Sequence, residues 1–165
     1  MTARLKTAEE LVSHLWRGLE IESGFESLSR WEASFTMKNE GFNRLAKELV
    51  NDSKEHRQLV ESLIPMVKTT TRARRVEIRP RTFDFSEMSD ADIVDEIAAV
   101  EKLAKDLYTR IRDIARASDL DKFVDEKNIP QFLSNLERLI NDELSHESKV
   151  LALGAELRTS MRKDT

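Results

Sequence analysis

Four long stretches of this chain repeat apolar residues at the three-to-four spacing of a single helix face, and little inside them would break a helix. Only four Gly and three Pro occur among 165 residues, and Pro65, Pro80 and Pro130 lie between the stretches or at their ends. Strand signals are almost absent. Charged residues (35%) nearly balance hydrophobic ones (39%), so each apolar stripe leaves a polar face for water. The reading is one all-α domain over residues 1–165, an antiparallel four-helix bundle.

Helix A is expected from Thr7 to Phe35, with Thr7 as N-cap and Glu10 three residues on, the spacing of a capping box. Helix B runs from Asn39 to Ile64, where Pro65 disfavours continuation. Helix C runs from Ser89 to Ser118, with Asp90 and Asp92 in the first turn where negative charge suits the helix dipole. Helix D begins near Pro130, with Asn128 as its cap, and ends near Met161. The A-to-B connection is short, and C to D turns around Phe123. The B-to-C segment, 68–88, extends to about 65 Å against helices of about 40 Å, which suits two hairpins joined by a long crossover.

Composition also removes function classes. There is no Cys, which excludes disulfides, thiolate metal sites and Cys nucleophiles. Residues 1–6 are polar and an amphipathic helix follows, so no secretory signal is read; no apolar run approaches the ~20 residues of a membrane span. The cytosol is the default location. A net charge of −4 gives no general attraction to nucleic acid or anionic membrane. Residues 68–81 carry six cations and one anion, but without interleaved aromatics they read as a solvated connection.

The informative residues are polar ones on apolar faces. Helix D packs through Phe132, Leu133, Leu136, Leu139, Ile140, Leu144, Val150, Leu151, Leu157 and Met161, with Glu143 at the centre of the stripe and His146 and Glu147 beside it. Ser53 and His56 lie in the apolar face of helix B, while Glu55 points away. Glu101 edges the stripe of helix C, which includes Tyr108; Glu22 and Glu26 continue the Leu11–Leu19 stripe of helix A. Buried unpaired charges cost several kcal/mol each, so the cluster must be neutralised. Carboxylates and imidazoles suit iron, manganese or zinc, and the spacing Glu143-x-x-His146 lets both side chains reach one centre. A buried hydrogen-bond network with protonated carboxyls, or pairing with Arg57 and Arg158, would neutralise the same groups. The metal-ligand candidates are Glu22, His56, Glu101, Glu143 and His146, with Glu26 and Glu147 in reserve.

This pattern resembles the ferritin-like superfamily, in particular its rubrerythrin-type di-iron carboxylate branch, over essentially the whole chain. Glu101-Lys-Leu-Ala-Lys-Asp-Leu-Tyr108 is similar to that family's Glu followed by Tyr, and Glu143-Leu-Ser-His146 to its Glu-x-x-His. The first half departs from it. Glu22 stands at the ligand position, but Ser29 replaces the Tyr; Ser53-Lys-Glu-His56 resembles the other Glu-x-x-His with Ser in place of Glu. Ser is neutral and too short to bridge two metals. The resemblance implies a bundle binding one or two ions of iron, or manganese or zinc, that reacts with dioxygen or peroxide. Tyr108 would be a hydrogen-bond donor near the metal, and any electron donor would be external. A scaffold that has lost this chemistry and acts through its surface is the alternative, and Ser53 favours it. Ile21, Phe25, Leu28, Trp31 and Phe35 form a second apolar face on helix A, from which a homodimer is expected.

Overall fold

The structure, a computed structural model, describes residues 4–28, 39–69, 85 and 88–161. Four long helices account for most of them: α1 (Ala8–Leu28), α2 (Glu40–Leu63), α3 (Asp90–Ala117) and α4 (Ile129–Met161). No strand occurs among the described residues, apart from an isolated bridge between Val67 and Val124.

The ends form where local chemistry satisfies the free amides. Thr7 Oγ1 accepts from Glu10 N at 3.2 Å, while the Glu10 carboxylate reaches back to Lys6 N at 3.0 Å. Asn39 caps α2 through Phe42 N at 3.0 Å. Ser89 and Asp92 form a reciprocal capping box on α3, with Asp92 N donating to Ser89 Oγ and Ser89 N to Asp92 Oδ2. α4 starts one residue before the expected Pro130. Asn128 lies inside a 3₁₀ turn, Glu126–Asn128, which leads straight into the helix at Ile129. Pro65 likewise sits in a 3₁₀ turn, Ile64–Met66, that closes α2.

α1 packs chiefly on α2 and α3 on α4; fewer contacts join α2 to α4 and α1 to α3. This is compatible with a four-helix bundle. Leu5 N donates to Ser118 Oγ, tying the approach to α1 to the end of α3. Lys68 N donates to Phe123 O, tying the end of α2 to the α3–α4 connection. One apolar cluster draws on all four helices, with Leu11, Leu15, Leu49, Val60, Ile97, Ile111, Leu136 and Leu139 among its buried members. Gly18 of α1 lets a large side chain in: a Cβ there would lie 3.0 Å from Tyr108 Cε1 and 3.1 Å from its hydroxyl oxygen.

Two members of the expected α4 stripe are exposed, Leu144 at 50% and Leu151 at 49%. They lie about 100° and about 80° around the helix from Glu143. The stripe is therefore narrower than its apolar residues suggest. On that flank α4 meets α3 through ion pairs, Glu147 with Lys105 and Arg158 with Asp95.

Helix A beyond Leu28, including Ser29, Trp31 and Phe35, lies outside the described residues, as do 70–81 of the basic stretch. Lys68 itself donates to the backbone of Asp121 at 2.8 Å. Ile21 and Phe25, expected on an open face, are already buried within the chain at 8% and 1% exposure. No described helix is long and apolar enough to cross a membrane.

Candidate metal centre

Each of the four helices brings acidic or imidazole side chains to one buried cluster. Glu22 comes from α1, His56 from α2, Glu101 from α3, and Glu143 and His146 from α4, and all five are at most 4% exposed. Buried apolar residues one or two turns away flank them on every helix: Leu19, Val60, Ala104 and Leu139 toward the α3–α4 connection, and Phe25, Leu49, Ile97 and Val150 on the opposite side. Ser53 (4% exposed) and Tyr108 (fully buried) complete the lining.

Glu143 is the hub. Its Oε1 lies 2.9 Å from His56 Nδ1, and its Oε2 lies 3.8 Å from His146 Nδ1. Glu22 Oε2 approaches the first histidine at 3.8 Å, and Glu101 Oε2 approaches the second at 3.4 Å. The atoms thus fall into two groups of three, Glu22–His56–Glu143 and Glu101–His146–Glu143, sharing one carboxylate that offers a different oxygen to each. The two imidazoles lie side by side, centroids 5.6 Å apart and tilted by 31°. His56, Glu143 and His146 place ligand atoms within 4.8 Å of one another, a buried set that could hold a metal ion; the half-buried Glu48 and Asp52 do the same with His146.

The outer nitrogens explain why the inner ones face inward. His56 Nε2 lies 3.3 Å from Asp142 Oδ2, and His146 Nε2 lies 2.9 Å from Asp52 Oδ2. When the rings are neutral, each aspartate favours the Nε2–H tautomer, which leaves Nδ1 as a bare lone pair. That lone pair then faces carboxylate oxygens, which also only accept. Glu22 Oε2, His56 Nδ1 and Glu101 Oε2 are accordingly buried without a hydrogen-bond partner. Such a gathering of acceptors requires cations at its centre, whether protons or metal ions.

The ionisation pattern shows how protons alone would serve. Burial, and then the Glu143 charge, push Glu22 up to about 8, against opposing contacts with His56, Tyr108 and Ser53. Burial also holds Glu101 well above the usual carboxylate range. Burial works the same way on Glu143, but His146, His56 and Glu101 beside it bring it down to about 2. Burial lowers both histidines, yet the carboxylates around them win: His56 moves up, and His146 rises to about 11. Tyr108 donates to Glu22 Oε1 at 2.6 Å, and burial with the nearby carboxylates keeps its phenol protonated far into alkali.

All five expected ligand candidates therefore share one cluster, and Ser53 lines it. The two reserves have other partners, Glu26 with Arg57 and Glu147 with Lys105. Arg57 also pairs with Glu61 and Arg158 with Asp95, so these two arginines are engaged at the periphery. Sequence reasoning missed Asp52, Asp142 and Gly18. A signal for the aspartates was present, since Asp four residues before His occurs on both α2 and α4. Against protein-family models, curated proteins and solved structures, the chain gives no significant match.

Proposed function

We propose that this chain is a ferritin-like metal protein whose antiparallel bundle holds two ions, iron or manganese, between Glu22, His56, Glu101, Glu143 and His146. The observation that carries the reading is the placing of the two Glu143 oxygens toward different histidines, with an unpartnered oxygen of Glu22 or Glu101 completing each side. A carboxylate presented this way would be able to bridge two ions, and nitrogen with carboxylate oxygen is the donor set such ions take. The pairings across the α2–α4 seam support the antiparallel arrangement: Asp52 meets His146, and His56, four residues later, meets Asp142, four residues earlier.

When bound, redox-active ions at this position supply chemistry toward dioxygen or peroxide. The chain's own groups have separate tasks. Asp52 and Asp142 orient the two imidazoles and raise their basicity. Tyr108 steers Glu22 by holding Oε1, which leaves Oε2 turned to His56. The apolar layers above and below exclude bulk water.

Purification without chelators, followed by metal analysis and reconstitution with Fe²⁺ or Mn²⁺, tests the reading. Wild type should carry metal stoichiometrically, and Glu143→Gln should lose it while the helices stay formed. Equal metal in both proteins, or none in wild type after reconstitution, overturns it.

A second reading, a scaffold without metal chemistry, draws on one observation. Low-lying Glu143 between two raised histidines, with Glu22 and Glu101 raised toward the protonated form, is a self-neutralised network. Metal content decides between the two.

A further inference from the structure

The two halves of the cluster are related position by position, with one exception. Asp52-Ser53-x-x-His56 on α2 faces Asp142-Glu143-x-x-His146 on α4, and each aspartate holds the other helix's histidine. Under that correspondence Ser53 occupies the counterpart of the hub residue. It is 4% exposed and bears on Glu22, so it faces the cluster and not solvent. Its side chain ends at Oγ, where Glu143 carries two further carbons and a pair of oxygens.

We infer that a small free carboxylate of formate or acetate size binds at Ser53, standing in for the side-chain carboxylate this position lacks. The inference rests on the two-metal reading above. Three arguments support it. The first is charge: Glu22, Glu101 and Glu143 supply three negative charges to two divalent cations, leaving a net +1 in a buried site. A monoanion removes that excess, whereas a second protein carboxylate already does so in a symmetric pair of half-sites. The second is donor number. Each half-site offers three protein atoms, and ions of this class take about four to six. The third is shape and polarity. A planar carboxylate could offer one oxygen to each cation, as Glu143 would from the opposite helix, and the Ser53 hydroxyl, which bears on Glu22, could turn to donate to it. The site thereby gains a ligand position reserved for a carboxylic acid, a substrate or effector that enters from solution.

The coupling is reciprocal, because an anion that binds between two cations must tighten the second cation by the factor by which the cation tightens it. Calorimetric titration of chelator-treated protein with Mn²⁺ measures it, in chloride buffer with and without acetate or formate at constant ionic strength. The second Mn²⁺ should bind about tenfold tighter or better with carboxylate present, within the ordinary range for coupled ligands. In Ser53→Glu two ions should bind tightly in chloride alone, with no response to acetate. Should that variant fold poorly without metal, the wild-type titrations still decide. Two ions bound with equal affinity with and without acetate, or one ion under every condition, overturns the carboxylate site. So does tightening by phosphate and not by acetate. Absence of Mn²⁺ binding in every buffer is a different result: it overturns the metal reading itself.

Discussion

Gly18→Ala sets two opposing effects against each other. Within a helix this change ordinarily stabilises by about 0.5–1 kcal/mol, because Gly gives up more backbone freedom on folding. Here the new methyl would lie 3.0 Å from Tyr108 Cε1 and 3.1 Å from the phenolic oxygen. Carbon atoms pack at about 3.5–4.0 Å, so the ring must retreat by several tenths of an ångström. Tyr108 is fully buried, so any retreat of the ring is into the core. Overpacking of this kind costs about 1–3 kcal/mol. Retreat also stretches the 2.6 Å hydrogen bond to Glu22. The sign should therefore reverse, with a net destabilisation of about 1–2 kcal/mol and a melting temperature lower by about 5 °C for a chain of this size. Urea denaturation followed by circular dichroism reads the effect, in wild type and in a Tyr108→Phe background. Phe lacks the hydroxyl, so the hydrogen-bond part of the penalty should vanish there and the two substitutions should couple by about 1 kcal/mol. A Gly18→Ala protein more stable than wild type would refute the packing argument; equal penalties in both backgrounds would refute the role of the hydrogen bond.

Metal-free protein should be most stable in mild acid and weaken toward alkali. Glu22 at about 8 and His146 at about 11 sit above their unfolded values, so their stabilisation is complete below those values and lost as pH rises through the folded ones. Glu143 at about 2 acts in the opposite sense, its stabilisation complete above about 4.5 and lost as pH falls from there through about 2, and denaturation at about pH 5 and about pH 9 checks the alkaline slope. Metal affinity should run the other way, rising with pH, because binding releases those same protons. Asp142→Asn removes the charged partner of His56 Nε2 and should weaken Mn²⁺ binding about 10- to 100-fold in calorimetry, with the helices intact; unchanged affinity would deny the aspartate that role. Homodimerisation is retained as an expectation, although Ile21 and Phe25 are already covered, and light scattering that gives a monomer at high concentration would end it.

The helices were legible in the sequence because each signal for them is local. Ser89 with Asp92, Thr7 with Glu10, and Pro65 all act within one turn, and the structure places the described ends within a residue or two of the expected ones. The inward groups were legible for a related reason. Glu143 stands out because a carboxylate at the centre of an apolar stripe conflicts with its surroundings, and periodicity alone exposes that conflict. Leu144 and Leu151 show the limit of periodicity, since apolar character does not say how wide a face the neighbours will cover. Gly18 carried no signal, and the repeated Asp four residues before His did not by itself say what Asp52 and Asp142 would meet, for a deeper reason. Their roles depend on which residue of another helix lies opposite, and that register is fixed only when the helices pack. Tyr108 was placed by its stripe, but its bond to Glu22 needed the same register.

The exchanged aspartates have a kinetic consequence. Each histidine is anchored from the opposite helix, so neither α2 nor α4 can move alone without disturbing both imidazoles. An ion held there would not leave by shedding one ligand at a time to solvent. Its escape would wait for a local opening of the seam between the two helices, which breaks the Asp52–His146 and His56–Asp142 pairs together. Backbone amides around residues 52–56 and 142–146 should then exchange with deuterium at the rate at which bound metal is lost to excess chelator, and both rates should slow together when the seam is tightened.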